Sequence, residues 1–394
     1  MKLSRNVVAL GAVSFLTDVA TEMIYPLLPL FLSTVLGANA SFIGAIEGTA
    51  ESTAALLKLA SGWWSDQVKK RKPLVVAGYV IATIARPFTA IAQSAAQVLL
   101  IRLTDRIGKG IRTAPRDALL AESAPPDARG RAFGFHAAMD NAGAVLGPVV
   151  AFALIRYFDL SLRSVFWLAA IPGALAVIVL VIAVREIRAS EAAVEVRTAA
   201  DLSSPDKLGG RFWAYLAVVL LFTLGNSTDA FLLLRANQLG IAVALAPILW
   251  AFLNLVKALL GTWGGALSDR FGRKPLIVAG WLLYATVYFG FARATAAWHA
   301  WALFAAYGLF YALTEGTEKA LVADLVPLSR RGAAYGWFNL AIGLGALPAS
   351  LIFGAVWDRA GASVAFTFGA SLALLAAVGM TTVAPSHALS PQEQ

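Results

Sequence analysis

The chain contains no cysteine, so neither a disulfide framework nor a thiolate metal site can belong to its design. Histidine is almost as scarce. The three present, His136, His299 and His387, stand too far apart to form a ligand motif, and no metal or other cofactor is expected. Charged residues make up only 14% of the sequence. No Gly-x-x-x-x-Gly-Lys-Ser/Thr loop occurs, since Gly108-Lys109-Gly110 lacks that spacing, and ATP-driven work is disfavoured. No motif for a positioned nucleophile or acid/base pair appears either, which argues against an enzyme.

What the chain has instead is apolar surface. Hydrophobic residues reach 59%, with 22 Phe and 11 Trp among 394 residues, and the mean hydropathy is +0.72. A soluble domain of this length has no interior large enough for that content, so the sequence reads as an all-α membrane protein. The net charge of +9 does not indicate nucleic acid, because Lys and Arg cluster in short loops between apolar runs and not on a basic domain. Lys2 and Arg5 ahead of Val7–Phe15 imitate a signal peptide. The apolar run nevertheless continues past Asp18 and Glu22 to Leu36, long enough to span, so an uncleaved first span is expected.

Apolar windows of about 20 residues predict twelve transmembrane helices, at 7–34, 41–64, 74–94, 97–119, 132–157 and 163–184, then at 213–237, 241–266, 276–294, 297–324, 333–356 and 363–384. The polar stretch 187–212 divides a six-helix lobe, 1–186, from a second, 213–394. Basic residues mark alternate loops: Lys69 to Lys72, then Arg129 and Arg131, Arg188 to Lys207, Arg270 to Lys274, and Arg330 with Arg331. By the rule that basic loops face the cytoplasm, both termini lie inside, in a multi-pass protein of the bacterial inner membrane type.

The two halves repeat each other. Segment 62–78, GWWSDQVKKRKPLVVAG, matches 265–280, GALSDRFGRKPLIVAG, with Asp66 and Asp269 standing 203 positions apart (269 − 66). ALLAESAPPDARGRAFG from Ala118 matches ALVADLVPLSRRGAAYG from Ala320, with Gly130 and Gly332 separated by 202 (332 − 130). Two six-span halves related in parallel mark a transporter whose site lies at the interface of the halves.

Segment 265–274, GALSDRFGRK, resembles the signature loop Gly-x-x-x-Asp-Arg-x-Gly-Arg-Lys of the major facilitator superfamily, and it falls between spans eight and nine as it does there. The first-half copy, Gly62 to Lys72, departs from the pattern: Gln67 replaces the arginine, the second glycine is missing and one residue is inserted. Arg106-x-x-x-Gly110 on span four and Gly143-Ala-Val-Leu-Gly147-Pro148 on span five are similar to motifs of drug/proton antiporters. The resemblance implies two pseudo-symmetric six-helix lobes, a cytoplasmic clamp made by the loop aspartate and its basic neighbours, and proton-coupled efflux.

Span four holds the densest charge. At 100° per residue, Arg102, Asp105, Arg106, Lys109, Arg112, Arg116 and Asp117 fall within about 140° of arc. At roughly 2.5–3.5 kcal/mol per mid-helix charge, the four from Arg102 to Lys109 would cost ~10 kcal/mol or more against lipid, so they must line a cavity or pair within the bundle. Acidic partners are available. Asp18 and Glu22, and Glu47 and Glu51, are i,i+4 pairs, while Asp140 on span five has His136 one turn away. A carboxylate whose arginine can leave it for a substrate changes its hold on a proton, which couples the two events.

Asp18, Glu22, Glu47, Glu51 and Asp140 are accordingly the candidate proton-coupling residues. Candidate substrate contacts are Arg102, Arg106 and Lys109, with Asn226, Asp229, Asn254 and Glu315 from the second half. A helix-packing network of mutually neutralising charges is the competing explanation, and Glu315 with Lys319, four residues apart, fits it. Asp66, Arg71, Glu122 and Arg129, with Asp269, Arg270, Arg273, Asp324 and Arg331 in the second half, flank the cytoplasmic ends of spans and read as a gate.

These features predict a proton-coupled secondary transporter that exports a small organic solute by antiport. Symport uptake of an anionic or zwitterionic solute, or of a metal chelate, is the alternative, since span four is more basic than a port for lipophilic cations requires. A non-transporting sensor or a lipid scramblase fits less well, because the loops are short. The expected partners are the solute, protons and membrane lipids, and the expected state is a monomer.

Overall fold

The computed structural model describes residues 3–67, 71–125, 129–186, 208–327 and 330–383. The side chains of Asp66 and Arg129, and most of the 187–212 stretch, lie outside the described residues. Among the described residues the chain is helical and contains no strand.

Helix α1, Arg5–Ile24, is capped by Ser4, whose hydroxyl accepts from Val7 N. It breaks at Pro26 and resumes through Leu28–Leu30 into a π-helical turn, Phe31–Val35. Helix α2 spans Ala40–Gln67, and α3, Lys72–Ala85, tightens into a 3-10 turn, Arg86–Ile91. Helix α4, Ala95–Glu122, starts at Ser94, which accepts from Gln97 N, and continues unbroken across Pro115. Helix α5 is Arg129–Phe158, and the next predicted span divides into α6, Leu162–Leu168, and α7, Ala170–Ala183. In the second half α8, Gly210–Gly225, and α9, Ala230–Gln238, flank a break at Asn226–Asp229. Then come α10, Ala246–Phe271, α11, Arg273–Arg293, α12, Ala297–Asp324, α13, Arg331–Ala360, and α14, Ala362–Val383. Gly272 alone separates α10 from α11, at φ 89°. That left-handed angle suits glycine, which explains the second glycine of the loop motif.

Among the described residues, nine helical stretches are long and apolar enough to cross a membrane. Helices α2, α4 and α12, each of 28 residues, are long enough but are not among them. They carry charged residues along their length, Glu47 and Glu51, Arg102 to Arg112, and Glu315 to Lys319.

The chain forms two compact units. The first gathers Met1–Ala38, Thr49–Val196 and Ala242–Ala251, and the second Asn39–Gly48, Arg197–Ile241 and Phe252–Gln394. The two displaced segments are themselves 203 positions apart (242 − 39), the spacing of the sequence repeat. Within the first unit α1 lies along α5 and α7, and α3 along α4. Within the second, α8 lies along α13 and α14, and α11 along α12. The same pairings therefore recur at the repeat interval.

Glycines allow these helices to touch backbone to backbone. A Cβ on Gly143 or Gly147 of α5 would lie 2.6 Å from Phe15 O or 2.7 Å from Val19 O of α1. Gly78 and Gly108 join α3 to α4 in the same way, each facing the other's carbonyl oxygen at 2.5 Å. In the second unit, Asp358 of α13 accepts from Ala40 N at 2.9 Å and Ser41 N at 2.8 Å, capping α2.

Candidate functional site: a charge knot on α4

The α3–α4 crossing turns the charged stripe of α4 into the first unit. Arg102, Asp105, Arg106 and Arg112 are buried there, whereas Lys109 on the same stripe is exposed. Asp105, 1% exposed, accepts from Arg86 Nε at 2.7 Å and lies 3.7 and 3.8 Å from the guanidinium groups of Arg102 and Arg106. Arg106 also reaches Glu51 of α2 at 2.9 Å. Arg112 lies over the ring of Tyr79, 4.1 Å from its centroid. Such a knot persists because removing one partner strands a charge in a medium that cannot solvate it. Beside it is a void of about 10 Å³ bordered by Thr21, Arg86, Thr89, Arg102 and Asp105. Asp105 Oδ2 and Arg86 Nη1 have no hydrogen-bond partner there, and the space suits about one water molecule.

Two members of this site have no clear signal in the sequence. Arg86 follows the apolar run IATIA and looks like an end-of-span cation, but the 3-10 turn carries it inward to Asp105. Trp250, lying in Ala242–Ala251, donates its indole N–H to Glu22 Oε2 at 2.7 Å and packs 5.0 Å from the ring of Tyr25. No periodicity links these positions. Only the charge of buried Asp105 and partly buried Glu22, each needing a donor, points to partners elsewhere in the chain.

Along the α1–α5 seam, Asp18 and Asp140 occupy facing helices. A Cβ on Gly143 would meet Asp18 Cβ at 2.9 Å, and Asp140 stands one turn away on α5, with its Oδ2 3.4 Å from His136 Nδ1. Glu47 and Glu51 stand one turn apart on the unbroken helix α2. Glu47 is buried within Asn39–Gly48 of the second unit, and Glu51 belongs to the first.

The second unit places tyrosines where the first has charges. Tyr307 and Tyr311 lie 202 positions after Asp105 and Lys109 (307 − 105, 311 − 109), and their hydroxyls donate to Asp229 at 2.6 and 3.2 Å. The Lys257 ammonium sits 3.9 Å from the Tyr311 ring centroid. Asn226 accepts from Tyr284 at 3.2 Å, and Asn254 is half-buried on α10. Glu315 lies apart from this group, exposed and 3.4 Å from Lys319. Glu318, which the sequence did not single out as a contact, accepts from the Trp281 indole at 2.8 Å.

At the helix ends, Arg71 pairs with Glu122, and Arg273 lies 3.4 Å from Asp324. The two pairs are offset by 202 positions at both members (273 − 71, 324 − 122). Arg273 also binds Asp269 at 2.5 Å. Glu186 accepts from Arg71 N at 3.0 Å and Lys72 N at 2.9 Å, capping α3. Arg331 donates to Ala323 O at 3.2 Å, and Arg270 lies over the Phe271 ring.

Comparison with known proteins agrees with this architecture. The family model described as Major Facilitator Superfamily matches residues 10–347 and 214–393. A relative described as an uncharacterized MFS-type transporter, from Methanocaldococcus jannaschii, is 35% identical over 95% of this chain and 94% of its own. The multidrug resistance protein MdtH of Yersinia enterocolitica is 36% identical over 29% of each chain. Among solved structures, a bacterial homolog of the human lysosomal transporter Spinster, inward-facing and unoccupied, superposes with a TM-score of 0.73 at 18% identity, covering 98% of this chain and 96% of that one. A POT family transporter in complex with 5-aminolevulinic acid gives a TM-score of 0.79 at 12% identity, covering 96% of each. The chain is a multi-pass membrane protein that belongs to the major facilitator superfamily of transporters.

Proposed function

We propose that this protein is a proton-coupled secondary active transporter of the inner membrane that exports a small organic solute by alternating access. In this reading twelve helices span the bilayer, including the charged α2, α4 and α12, with lobes 1–186 and 213–394, both termini in the cytoplasm, and 187–212 linking the lobes. The observation that carries it is the knot around Asp105. Four buried groups, Arg86, Arg102, Asp105 and Arg106, pair inside a membrane domain and extend to Glu51, itself half-exposed. Costly intramembrane charges of this kind mark substrate and ion pathways. Arg106 is the switching element, since it is shared between Asp105 and Glu51 and can be drawn away by a ligand. Arg102, Lys109, Asn226, Asp229, Asn254 and Glu315 complete the substrate contacts, and Arg71–Glu122 and Asp269–Arg273–Asp324 act as the cytoplasmic gate. The partial likeness to MdtH favours the export direction.

A second reading has one observation in its favour. Lys109 is exposed on an otherwise buried basic stripe, as a receptor for an anionic or zwitterionic solute entering by symport would be. The two readings differ in sign in cells. Under the export reading, cells expressing the protein retain less ethidium than cells without it, and an uncoupler that collapses the proton gradient abolishes the difference. Equal retention across a broad panel of dyes and drugs, or a difference that survives the uncoupler, rejects that reading; accumulation of organic acids favours the symporter.

A further inference from the structure

We propose that the coupling proton resides on the Asp18–Asp140 pair and that His136 passes it to Asp140, an assignment that rests on the proton-coupled reading above. The candidate carboxylates differ in what holds them. Glu51 is bound by Arg106 at 2.9 Å, Glu22 accepts the Trp250 indole at 2.7 Å, and Glu47 is buried near the start of α2, in the other unit. Asp18 and Asp140 instead stand on facing helices of the α1–α5 seam: Asp140 is one turn from Gly143, where a Cβ would lie 2.9 Å from Asp18 Cβ.

Asp140 uses one oxygen toward His136 Nδ1, at 3.4 Å. Its other oxygen, and Nε2 of His136, are buried without a hydrogen-bond partner, and His136 is only 5% exposed. Buried polar atoms are seldom left without partners, and each such exception asks for an explanation. Here Nε2 is the entry of a short proton path that runs through Nδ1 to Oδ2, and Oδ1 is left open on the receiving carboxyl. The charges facing the pair are Glu22 on α1, His136 on α5, and Lys109, Arg112 and Arg116 on α4, with Arg116 also held by Asp117 at 2.8 Å. Ser14 of α1 is the neutral polar neighbour. Two carboxylates that share a site hold a single proton more readily than none, and they titrate as a unit.

The transfer balances with hydronium as the only co-reactant. The neutral ring begins with its proton on Nδ1, directed at Asp140 Oδ2. Hydronium reaching the seam gives a proton to Nε2 and leaves as water, the imidazolium yields the Nδ1 proton to Oδ2, and the ring is left neutral with its proton on Nε2. Return of the carboxyl proton to Nδ1 and loss from Nε2 restores the starting state.

Infrared difference spectra of the full-length protein in lipid, recorded between alkaline and acidic buffer, test the site without a substrate. The protonated-carboxyl band of the wild type is expected to disappear in Asp18→Asn and Asp140→Asn and to persist in Glu51→Gln. In proteoliposomes with ethidium as the probe, His136→Gln is expected to slow gradient-driven flux at least about tenfold, as loss of a proton-transfer group does. Exchange of ethidium at equal pH should stay within about twofold, because it needs no net proton movement. A band lost only in Glu51→Gln, or gradient-driven flux unchanged in His136→Gln, overturns the proposal. If His136→Gln does not fold, the imidazole ring bands of the wild type decide instead, and bands unmoved by Asp140→Asn overturn it. Wild-type protein that moves neither ethidium nor any other compound of a broad dye and drug panel with protons, while the band still follows Asp18 and Asp140, refutes the proton-coupled export reading and upholds the site.

Discussion

Asp105 is the residue on which the site depends. It is 1% exposed and surrounded by Arg86, Arg102 and Arg106, so replacing it with Asn leaves buried guanidinium groups without their counter-charge. Asp105→Asn is expected to cost about 3–5 kcal/mol of stability, read from unfolding in detergent. Glu315→Gln, which breaks an exposed pair with Lys319, should stay within about 0.5 kcal/mol. Trp250→Phe keeps the ring against Tyr25 but removes the donor to Glu22; about 1–3 kcal/mol should be lost, and the same measurement checks it. At this scale the sequence is only half readable. The helical wheel sets Arg102, Asp105, Arg106 and Arg112 on one face, because spacing along a single helix is a local property. Arg86 and Trp250 escape it, since their roles arise from tertiary contacts with positions 19 and 228 residues away. The exposure of Lys109 escapes it for a similar reason: a wheel gives direction and says nothing of what stands opposite.

At the scale of the element, the all-helical character and the apolar runs are legible, while the interruptions are less so. The run predicted at 7–34 breaks at Pro26, where the missing N–H and fixed φ end α1. The run at 213–237 breaks at Asn226–Asp229, which carries no proline and is instead tied to Tyr284 and the two tyrosines of α12. Glycine governs where helices meet. Gly143→Leu would drive a side chain into Phe15 O and Asp18 of α1, and a sharp loss of monodisperse protein on size exclusion is expected, with Gly134→Leu, which faces open space, as the tolerated control. Gly272→Val forces a β-branched residue to φ 89° and should lower stability by about 1–2 kcal/mol or more, seen as a lower melting temperature.

Over the whole molecule, the repeat of about 202 residues recurs in the helix pairings, in the Arg71–Glu122 and Arg273–Asp324 bonds, and in the segments Asn39–Gly48 and Ala242–Ala251. The repeat is nevertheless broken chemically. One copy of the central helix carries Asp105 and Lys109, the other Tyr307 and Tyr311. Two repeated halves need no such difference for packing, whereas the proposed division of proton handling and solute contacts between them does. The central claim, that this asymmetry couples solute movement to protons, is tested most directly in sealed proteoliposomes with a pH gradient, following internal pH and a panel of drugs, organic acids and chelates together. The account predicts that at least one compound moves against its own gradient while the pH gradient collapses faster, and that Arg106→Ala uncouples the two. A pH gradient that decays at the rate of protein-free liposomes with every compound of the panel would contradict it.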